Sequence, residues 1–249
     1  MALLCSQVCS ESSAEVTDPL VISHVWRASE LAVSHDVSCS SGYSLLDGEL
    51  PGAGWPRSSL IELLVQQSGI GELQLLKPLL VKLSDKQRIV LVQPPYIPHS
   101  LAFKIWGIDV GRLIWVRAPS TADALWTTEQ ILKNGSCGAV VFWQNHIRSD
   151  SLRRLNLAAQ GAETWFWLIR PMTCASEASP ASLRLGVRPA MGGVQVEVLK
   201  RRGPVSDKTL FIPLADMPTG RHPVHHENAS AVNFIPAVIT ARNAAPVLV

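Results

Sequence analysis

Charged residues are scarce in this chain, and neither sign of charge dominates. Asp, Glu, Lys and Arg make up 17% of the 249 residues, whereas they make up about a quarter of an average soluble domain. With 47% hydrophobic residues, the chain does not belong to the highly charged, disordered class of proteins. The 22 Lys and Arg against 20 Asp and Glu give a net charge of +2, which disfavours a nucleic-acid binder that relies on bulk charge.

Cysteines and long apolar runs are also few. The five cysteines are odd in number and include no Cys-x-x-Cys pair, so a disulfide framework is not expected. No window approaches 18 uncharged apolar residues, and the first residues lack a basic stretch followed by a long apolar one. We therefore expect no transmembrane helix, no secretory signal, no membrane partner and a cytoplasmic location.

Residues that commonly bind metals occur in two places, and neither predicts a metal site. Cys5 and Cys9 have no further cysteine or histidine close by in the sequence. The other group combines histidines with a carboxylate, which are ligand types that zinc accepts. It comprises His222, His225, His226 and Glu227. Its spacing does not place the side chains on one helical face, so a solvated turn is favoured and no metal is expected.

The small net charge hides a difference between the two halves of the chain. Residues 1–138 carry 10 Lys and Arg against 13 Asp and Glu, whereas residues 139–249 carry 12 against 7. A nucleic acid or an acidic protein partner would therefore be sought first on the second half. A chance variation on a solvated surface explains the difference equally well.

Apolar runs alternate with helical patterns between residues 60 and 170. Strands are predicted at 60–65, 88–93, 113–116, 138–143 and 164–170, and helices at 73–83, 100–106, 120–134 and 149–160. This alternation predicts an α/β fold with a mainly parallel sheet. Two further strands, 182–188 and 193–201, are expected to form an antiparallel pair. Pro78 is expected to bend the first of these helices or to confine it to one end.

The chain divides into three segments by composition and pattern. Residues 1–38 form an N-terminal extension with a short helix predicted near 19–34, and residues 39–203 form the core. Residues 204–249 contain several prolines and no hydrophobic period. We therefore predict an irregular C-terminal tail there.

The loop after the first core strand is where a phosphate-binding loop would lie. Such a loop follows G-x-x-x-x-G-K-[ST]: its glycine amides surround phosphate, its lysine neutralises the charge and its hydroxyl holds Mg²⁺. Here only Gly71 is kept, because Glu72 stands at the lysine position and Leu73 at the hydroxyl position. We call this segment the vestigial phosphate loop; it comprises Gln66, Ser68, Gly69, Gly71 and Glu72. A cation at this position would attract a phosphate charge, whereas an anion repels it. At about 4 Å and an effective dielectric constant of about 20, the exchange makes the interaction energy less favourable by roughly 8 kcal/mol.

The other groups that ATP hydrolysis requires are also missing. Trp143 stands where an acidic residue should close the fourth strand, and the second strand ends in Gln93 and two prolines. Neither position offers a carboxylate to hold Mg²⁺ or to activate a water. We therefore expect no ATP hydrolysis, no bound cofactor and no catalytic residues.

Five segments in combination resemble the RecA core. They are 41–47 (SGYSLLD), 52–57 (GAGWPR), 60–63 (LIEL), 107–110 (GIDV) and 198–202 (VLKRR). The run 69–73 (GIGEL), with Gly-Trp-Pro-Arg before it, resembles the ImuA family of bacterial RecA-like proteins, which are encoded in the translesion-synthesis operon and sometimes labelled SulA-like. The resemblance covers about residues 19–203. It implies a RecA-like, P-loop NTPase-type core with a degenerate nucleotide site.

The same resemblance implies a role in SOS-induced, error-prone DNA repair. ImuA-type proteins act there as accessory factors beside ImuB, a Y-family polymerase relative, and an error-prone replicative-type polymerase, and contact with RecA is implied as well. The chain departs from RecA at both DNA-binding loops, because the corresponding segments, 144–148 and 171–181, are short. Filament formation on single-stranded DNA is therefore not expected.

Two groups of basic residues are candidates for contact with a partner or with DNA phosphates. They are Arg148, Arg153 and Arg154 around one helix, and Lys200, Arg201 and Arg202 at a strand end. A solvated surface explains both groups equally well, and the RecA resemblance adds contact with a neighbouring protein. Three hypotheses therefore remain: a non-catalytic adaptor, an ATPase with an unorthodox site, and a direct binder of single-stranded DNA.

Tryptophan is frequent, with 8 residues in the chain. Trp143, Trp165 and Trp167 lie on predicted strands and are expected in the core. Trp55 and Trp106 lie nearer to predicted turns, where a large aromatic side chain could anchor a partner protein.

Overall fold

A computed structural model of the chain describes residues 37–204, 207–214 and 238–240. No helix in these ranges is long and apolar enough to cross a membrane. Some predictions concern residues outside these ranges and stay predictions. They are the helix near 19–34 and the absence of metal at Cys5, Cys9, His222, His225, His226 and Glu227.

Strands account for much of the described chain, and the long apolar runs of the sequence coincide with them. They are β1 (Ser38–Cys39), β2 (Trp55–Pro56), β3 (Leu60–Val65), β4 (Ile89–Val92), β5 (Leu113–Arg117), β6 (Ala139–Trp143), β7 (Trp165–Pro171), β8 (Leu183–Ala190), β9 (Gly193–Lys200), β10 (Thr209–Pro213) and β11 (Val238–Thr240). The predicted strands from 60–65 to 193–201 therefore all form, with ends that differ by at most two residues.

Nine of these strands form one sheet in the order β10-β9-β8-β3-β7-β6-β4-β5-β11. Neighbours from β8 across to β11 run parallel, whereas β9 runs antiparallel to both β8 and β10. The predicted α/β fold with a mainly parallel sheet is confirmed, and so is the antiparallel pair β8–β9. Strands β1 and β2 form a separate two-stranded ladder.

Helices cover both faces of the sheet, as a parallel sheet requires. They are α1 (Ser44–Asp47), α2 (Glu72–Ser84), α3 (Ser100–Ile105), α4 (Thr121–Asn134) and α5 (Ser149–Gln160). Apolar side chains of α1, α2 and α3 share one core cluster with one face of the sheet, and those of α4 and α5 share a second cluster with the other face. Both faces of β3 are therefore buried, which explains why all its residues except Glu62 are apolar.

Helix α4 begins and ends where its sequence predicts. The Ser120 hydroxyl oxygen accepts a hydrogen bond from the amide of Asp123 at 3.2 Å, which is the N-cap arrangement. Gly135 follows the helix with a φ of 61°, in the left-handed region that glycine adopts freely. This helix is therefore delimited by local signals at both ends.

Helix α2 runs through Pro78 instead of ending there. Pro78 has no amide hydrogen for the carbonyl of Gln74, four residues earlier, and the hydroxyl of Tyr43 donates to that carbonyl at 3.1 Å. Gly42, with a φ of 86°, lies so close that a Cβ atom there would be 2.5 Å from the Pro78 Cβ atom. The segment before α1 thus supplies the contact that the proline removes.

Two strands occur beyond residue 204, where the sequence predicts no regular structure. Strand β10 pairs antiparallel with β9, and β11 pairs parallel with β5, so each extends one edge of the sheet. Strand β10 is five residues long and mostly exposed, and β11 is three residues long. Such short edge strands give no readable hydrophobic period.

Candidate functional site

The vestigial phosphate loop connects the carboxyl end of β3 to the start of α2. Strand β3 is an interior strand of the sheet, between β8 and β7. Ligands of open α/β sheets bind at the carboxyl ends of the strands. Gly69 and Gly71 have φ angles of 85° and 115°, which favour glycine because they lie in the left-handed region. The amide of Gln66 donates to the carbonyl of Val187 at 3.1 Å and thereby ties the start of the loop to β8.

The carboxylate of Glu72 folds back onto the loop that precedes it. The amide of Gly69 donates to Oε1 at 2.9 Å and to Oε2 at 3.1 Å, and the amide of Gly71 donates to Oε2 at 3.2 Å. Glu72 is almost fully buried and lies in the first turn of α2, where the helix dipole favours a negative charge. The carboxylate therefore occupies the place in which loop amides would bind an external anion.

The residue that follows β10 packs against the loop at Gly71. A Cβ atom on Gly71 would lie 2.5 Å from Leu214 Cδ1 and 3.5 Å from Val194 Cγ1. Leu214 itself is buried. The backbone of Gly71 is therefore in direct contact with the residue that follows β10, so part of the predicted tail packs against the loop.

The carboxyl ends of β4 and β6, at the same end of the sheet as the loop, carry no carboxylate. Trp143 closes β6 and is buried. Gln93 follows β4 with a positive φ of 51°, and its side-chain amide donates to the carbonyl of Ala118 at 2.6 Å. Both side chains are thus committed to packing or to hydrogen bonding within the fold, and neither can hold Mg²⁺ as a carboxylate would.

A cleft of about 450 Å³ opens beside the vestigial phosphate loop. Its lining includes Gly69 and Glu72 on one side and residues of the segment 94–106 on the other. Apolar side chains form most of its surface; they include Pro94, Pro95, Tyr96, Ile97, Phe103 and Trp106. We call it the apolar cleft. The sequence signal for this cleft is Pro-Pro-Tyr-Ile-Pro at 94–98, an apolar loop directly after a predicted strand.

The two tryptophans proposed as partner anchors differ in their surroundings. Trp106 is partly buried and lines the apolar cleft, with its ring in edge-to-face contact with Phe103 at 5.6 Å. Trp55 is fully buried and packs edge-to-face on Trp167 with ring centroids 5.9 Å apart. The expectation that Trp55 anchors a partner is wrong, because β2 turns its side chain into the core.

A group of buried ions lies near the carboxyl end of β7, and the sequence analysis missed it. Glu62 of β3 is fully buried; its Oε2 accepts from Arg184 Nε at 2.6 Å, and its Oε1 lies 3.6 Å from Arg170 Nη1. Arg170 also donates to Glu177 at 2.7 Å. This hydrogen bond lowers the pKa of the Glu177 carboxyl below its ordinary value. We call Glu62, Arg170 and Arg184 the buried ion cluster, which Glu177 borders from the surface.

Three basic candidates lie at or on α5. Arg148 precedes the helix, and both Arg148 and Arg153 are exposed. Arg154 pairs with Glu129 of α4, which also pairs with Lys133 at 2.8 Å. The hydrogen bond from Lys133, together with Arg154, holds the pKa of Glu129 below its ordinary value, against the opposing effect of burial. Arg154 is therefore partly engaged within the fold.

The other three basic candidates, Lys200, Arg201 and Arg202, line a polar cleft of about 490 Å³. Asn156 and Gln160 of α5 line it as well, on the helix face that also carries Arg153. We call it the basic cleft. Residues that precede β3 and β8 border the basic cleft. It therefore lies at the amino ends of these strands, whereas the vestigial phosphate loop lies at the carboxyl end of β3.

Contacts within the fold occupy part of the basic cleft. Lys200 Nζ donates to the carbonyl of Ser179 at 2.7 Å, and Arg201 Nη1 lies 3.0 Å from a carboxylate oxygen of Glu49. Arg148 lines a different cleft, with Arg170 and Glu177. The structure thus places Lys200, Arg201 and Arg202 next to α5, the helix that carries the other basic candidates. It does not join all six basic residues in one site.

The part of the chain that the structure describes contains no group of three or more His, Cys, Asp or Glu side chains placed to hold a metal ion. Its cysteines, Cys39, Cys137 and Cys174, are unpaired. Burial raises the pKa of the Cys137 thiol to about 11, so this side chain behaves as a buried apolar group at neutral pH.

The chain is similar to SulA proteins. No protein-family model matches it. It is 28% identical over 98 residues to the cell division inhibitor SulA of Edwardsiella piscicida, a stretch that is 39% of this chain and 58% of the length of that protein. The crystal structure of SulA from Pseudomonas aeruginosa aligns with 45% of this chain and 97% of that chain, at 25% identity and a TM-score of 0.37. The likeness in sequence supports the SulA-like label.

Proposed function

We propose that this protein is a non-catalytic, RecA-like accessory factor in SOS-induced, error-prone translesion DNA synthesis, and that it acts through protein–protein contacts. Its partners in this proposal are an ImuB-type Y-family polymerase relative, RecA and an error-prone polymerase. The observation that carries the proposal is the carboxylate of Glu72, held by the amides of Gly69 and Gly71. The setting is supported by the motifs that resemble the ImuA family and by the similarity to SulA.

The fold supports a core of the RecA type. An interior strand, a glycine-containing loop and a helix follow one another at the carboxyl edge of a mainly parallel sheet, which is the arrangement of a P-loop. The motif 41–47 packs against α2, the helix that begins at this loop, through the contacts of Gly42 and Tyr43. Two segments of the resemblance are therefore neighbours in space.

The requirements of phosphoryl transfer support the non-catalytic part of the proposal. The reaction needs cations around the phosphates, a metal ion and a group that orients the nucleophile. At the vestigial phosphate loop the charge is negative and buried, and the carboxyl ends of β6 and β4 carry Trp143 and Gln93. A triphosphate placed there would have to displace Glu72 from three hydrogen bonds and would meet no Lys or Arg among the described residues that line the cleft.

Purified protein is therefore expected to show no saturable binding of labelled ATP with Mg²⁺, measured by equilibrium titration. Tagged protein recovered from DNA-damaged cells is expected to carry RecA and the ImuB-type polymerase relative. Recovery from undamaged cells serves as the reference for the second measurement. Damaged cells that yield the tagged protein with neither partner would contradict the proposed setting.

Charge reversal at two positions separates specific from adventitious ATP binding. Glu72→Arg reverses the charge in the vestigial phosphate loop. Glu163→Arg makes the same charge reversal at an exposed side chain away from the loop. Neither variant is needed if wild-type protein binds no ATP. Saturable binding by wild-type protein that changes in Glu72→Arg and is unchanged in Glu163→Arg would overturn the non-catalytic proposal in favour of a nucleotide-binding protein.

Direct binding of single-stranded DNA is a second candidate function, and the basic cleft favours it. Replacing Arg153, Arg201 and Arg202 together by Ala is expected to abolish any binding of single-stranded DNA that falls with rising salt. The control is Arg188→Ala. Arg188 is a basic residue that pairs with Glu197 elsewhere on the surface. Absence of binding by wild-type protein at low salt would reject this candidate.

A further inference from the structure

The walls of the apolar cleft continue into exposed apolar side chains. Tyr96 is 67% exposed and Ile97 77% exposed, and on the outer face of α3 Leu101 is 55% exposed and Ile105 75% exposed. All four belong to the segment that forms one wall of the cleft. Grouped exposed apolar residues of this kind mark interaction sites in soluble proteins.

The polar part of the cleft offers little to a charged ligand. The amides of Gly69 and Gly71, which point at the loop interior, already donate to Glu72. What remains accessible in the lining is predominantly apolar, with aromatic rings from Tyr96 and Trp106. The free energy of binding at this cleft must therefore come mainly from burial of apolar surface.

The backbone of the segment 94–98, on one side of the apolar cleft, disfavours binding of an extended peptide as an added strand. Pro94, Pro95 and Pro98 line the cleft, and proline has no amide hydrogen to pair with a strand. An added strand would gain few main-chain hydrogen bonds there. A helix satisfies its own backbone hydrogen bonds and presents only side chains, so it fits a groove of this composition.

The charges at the rim are basic. Lys104 is exposed on α3 between Leu101 and Ile105, and Lys77 Nζ lies 5.9 Å from the ring centroid of Trp106. Glu72 is the acidic residue in the lining, and its carboxylate is buried against the loop. An occupant with acidic residues beside its apolar face would thus be complementary to this rim.

We propose that the apolar cleft binds an amphipathic, acidic helix of a partner protein. The inference deepens the proposed function, on which it rests in one respect: the vestigial phosphate loop holds Glu72 in place of a nucleotide. It assigns the protein–protein contact to one surface, formed by Tyr96, Ile97, Phe103, Trp106 and the outer face of α3.

The probe is a fluorescein-labelled peptide of about 16 residues with Leu and Phe at positions i, i+3, i+4 and i+7 and Glu at most others. Fluorescence anisotropy with full-length protein is expected to show saturable binding. A peptide with the same apolar positions and Lys in place of Glu is expected to bind about ten-fold more weakly or worse, and so is a scrambled acidic peptide.

Variants of the protein locate the site. Ile97→Ser combined with Ile105→Ser is expected to weaken binding of the acidic peptide by about ten-fold or more, and Lys104→Glu is expected to weaken it in a salt-dependent way. Trp126→Ser and Met191→Ser, which change exposed apolar residues elsewhere, are the matched controls and are expected to bind as wild type does. Because all these side chains are exposed, each variant is expected to unfold at the wild-type temperature, which circular dichroism checks.

Two outcomes would overturn the inference: no binding of the acidic peptide by wild-type protein, or binding that Ile97→Ser with Ile105→Ser leaves unchanged. These outcomes are distinct from failure of the proposed function. Saturable ATP binding at the vestigial phosphate loop overturns the non-catalytic proposal whatever the peptide does. Absence of both ATP and peptide binding overturns only the assignment of the cleft.

Discussion

Replacement of Glu62 by leucine is expected to lower the free energy of unfolding by about 3–5 kcal/mol, the range for removing one partner of a buried ion pair. Glu62 has no exposed surface, and its carboxylate balances the guanidinium groups of Arg184 and Arg170. Arg184 would keep its hydrogen bonds to the carbonyls of Cys174, Ala175 and Glu177. The charge of the cluster would nevertheless be uncompensated, inside the sheet.

Urea unfolding followed by tryptophan fluorescence measures this loss. Glu197→Leu is the matched control, because Glu197 pairs with Arg188 at 2.5 Å on a much more exposed surface. Exposed pairs of this kind contribute about 0–1 kcal/mol. A loss in Glu62→Leu no larger than that in Glu197→Leu would contradict the assignment of Glu62 as the charge that balances the cluster.

Replacement of Trp167 by alanine is expected to lower the free energy of unfolding by about 3–5 kcal/mol, the usual range for removing a large aromatic side chain from a core. Trp167 lies on β7, a central strand, and is fully buried. Its ring meets that of Trp55 at 90° with centroids 5.9 Å apart. The variant would leave a cavity beside Trp55 that the sheet cannot close by moving one strand.

Trp167→Phe tests how the loss of stability depends on the volume of the ring that is removed. Nε1 of Trp167 has no hydrogen-bond partner among the residues that the structure describes, so phenylalanine is expected to cost clearly less than alanine. Trp126→Ala, at a half-exposed residue of α4, is expected to change stability by within about 0.5 kcal/mol. Equal losses for Trp167→Ala and Trp126→Ala would show that the ring contributes no core packing.

The central part of the fold could be predicted because its strands are buried on both faces. Such strands appear in the sequence as nearly continuous apolar runs, and β3, which is apolar except at Glu62, was predicted with its observed ends, Leu60 and Val65. Helix α4 was predictable for a different reason, since Ser120 and Gly135 mark its ends by local chemistry. Strands β10 and β11 lack both signals, because each is a short edge strand held by one neighbour.

The candidate site was predictable in its charge but not in its geometry. The glutamate at the lysine position of the loop motif indicated repulsion of phosphate. Its hydrogen bonds to Gly69 and Gly71 depend on the backbone angles of those glycines, which the sequence does not state. The apolar cleft depends on the order of strands in the sheet, which places the segment after β4 opposite the loop after β3.

The position of Glu62 within β3 also matters before the sheet exists. The neighbours of β3 in the sheet are β7 and β8, and the contact of Glu62 with Arg184 joins residues 122 positions apart. During synthesis β3 therefore leaves the ribosome long before either neighbour does. An unpaired apolar strand is prone to aggregate, and a charge within it opposes that association. The carboxylate that is later buried with two arginines is thus a charge of the kind that opposes association of an unpaired apolar strand.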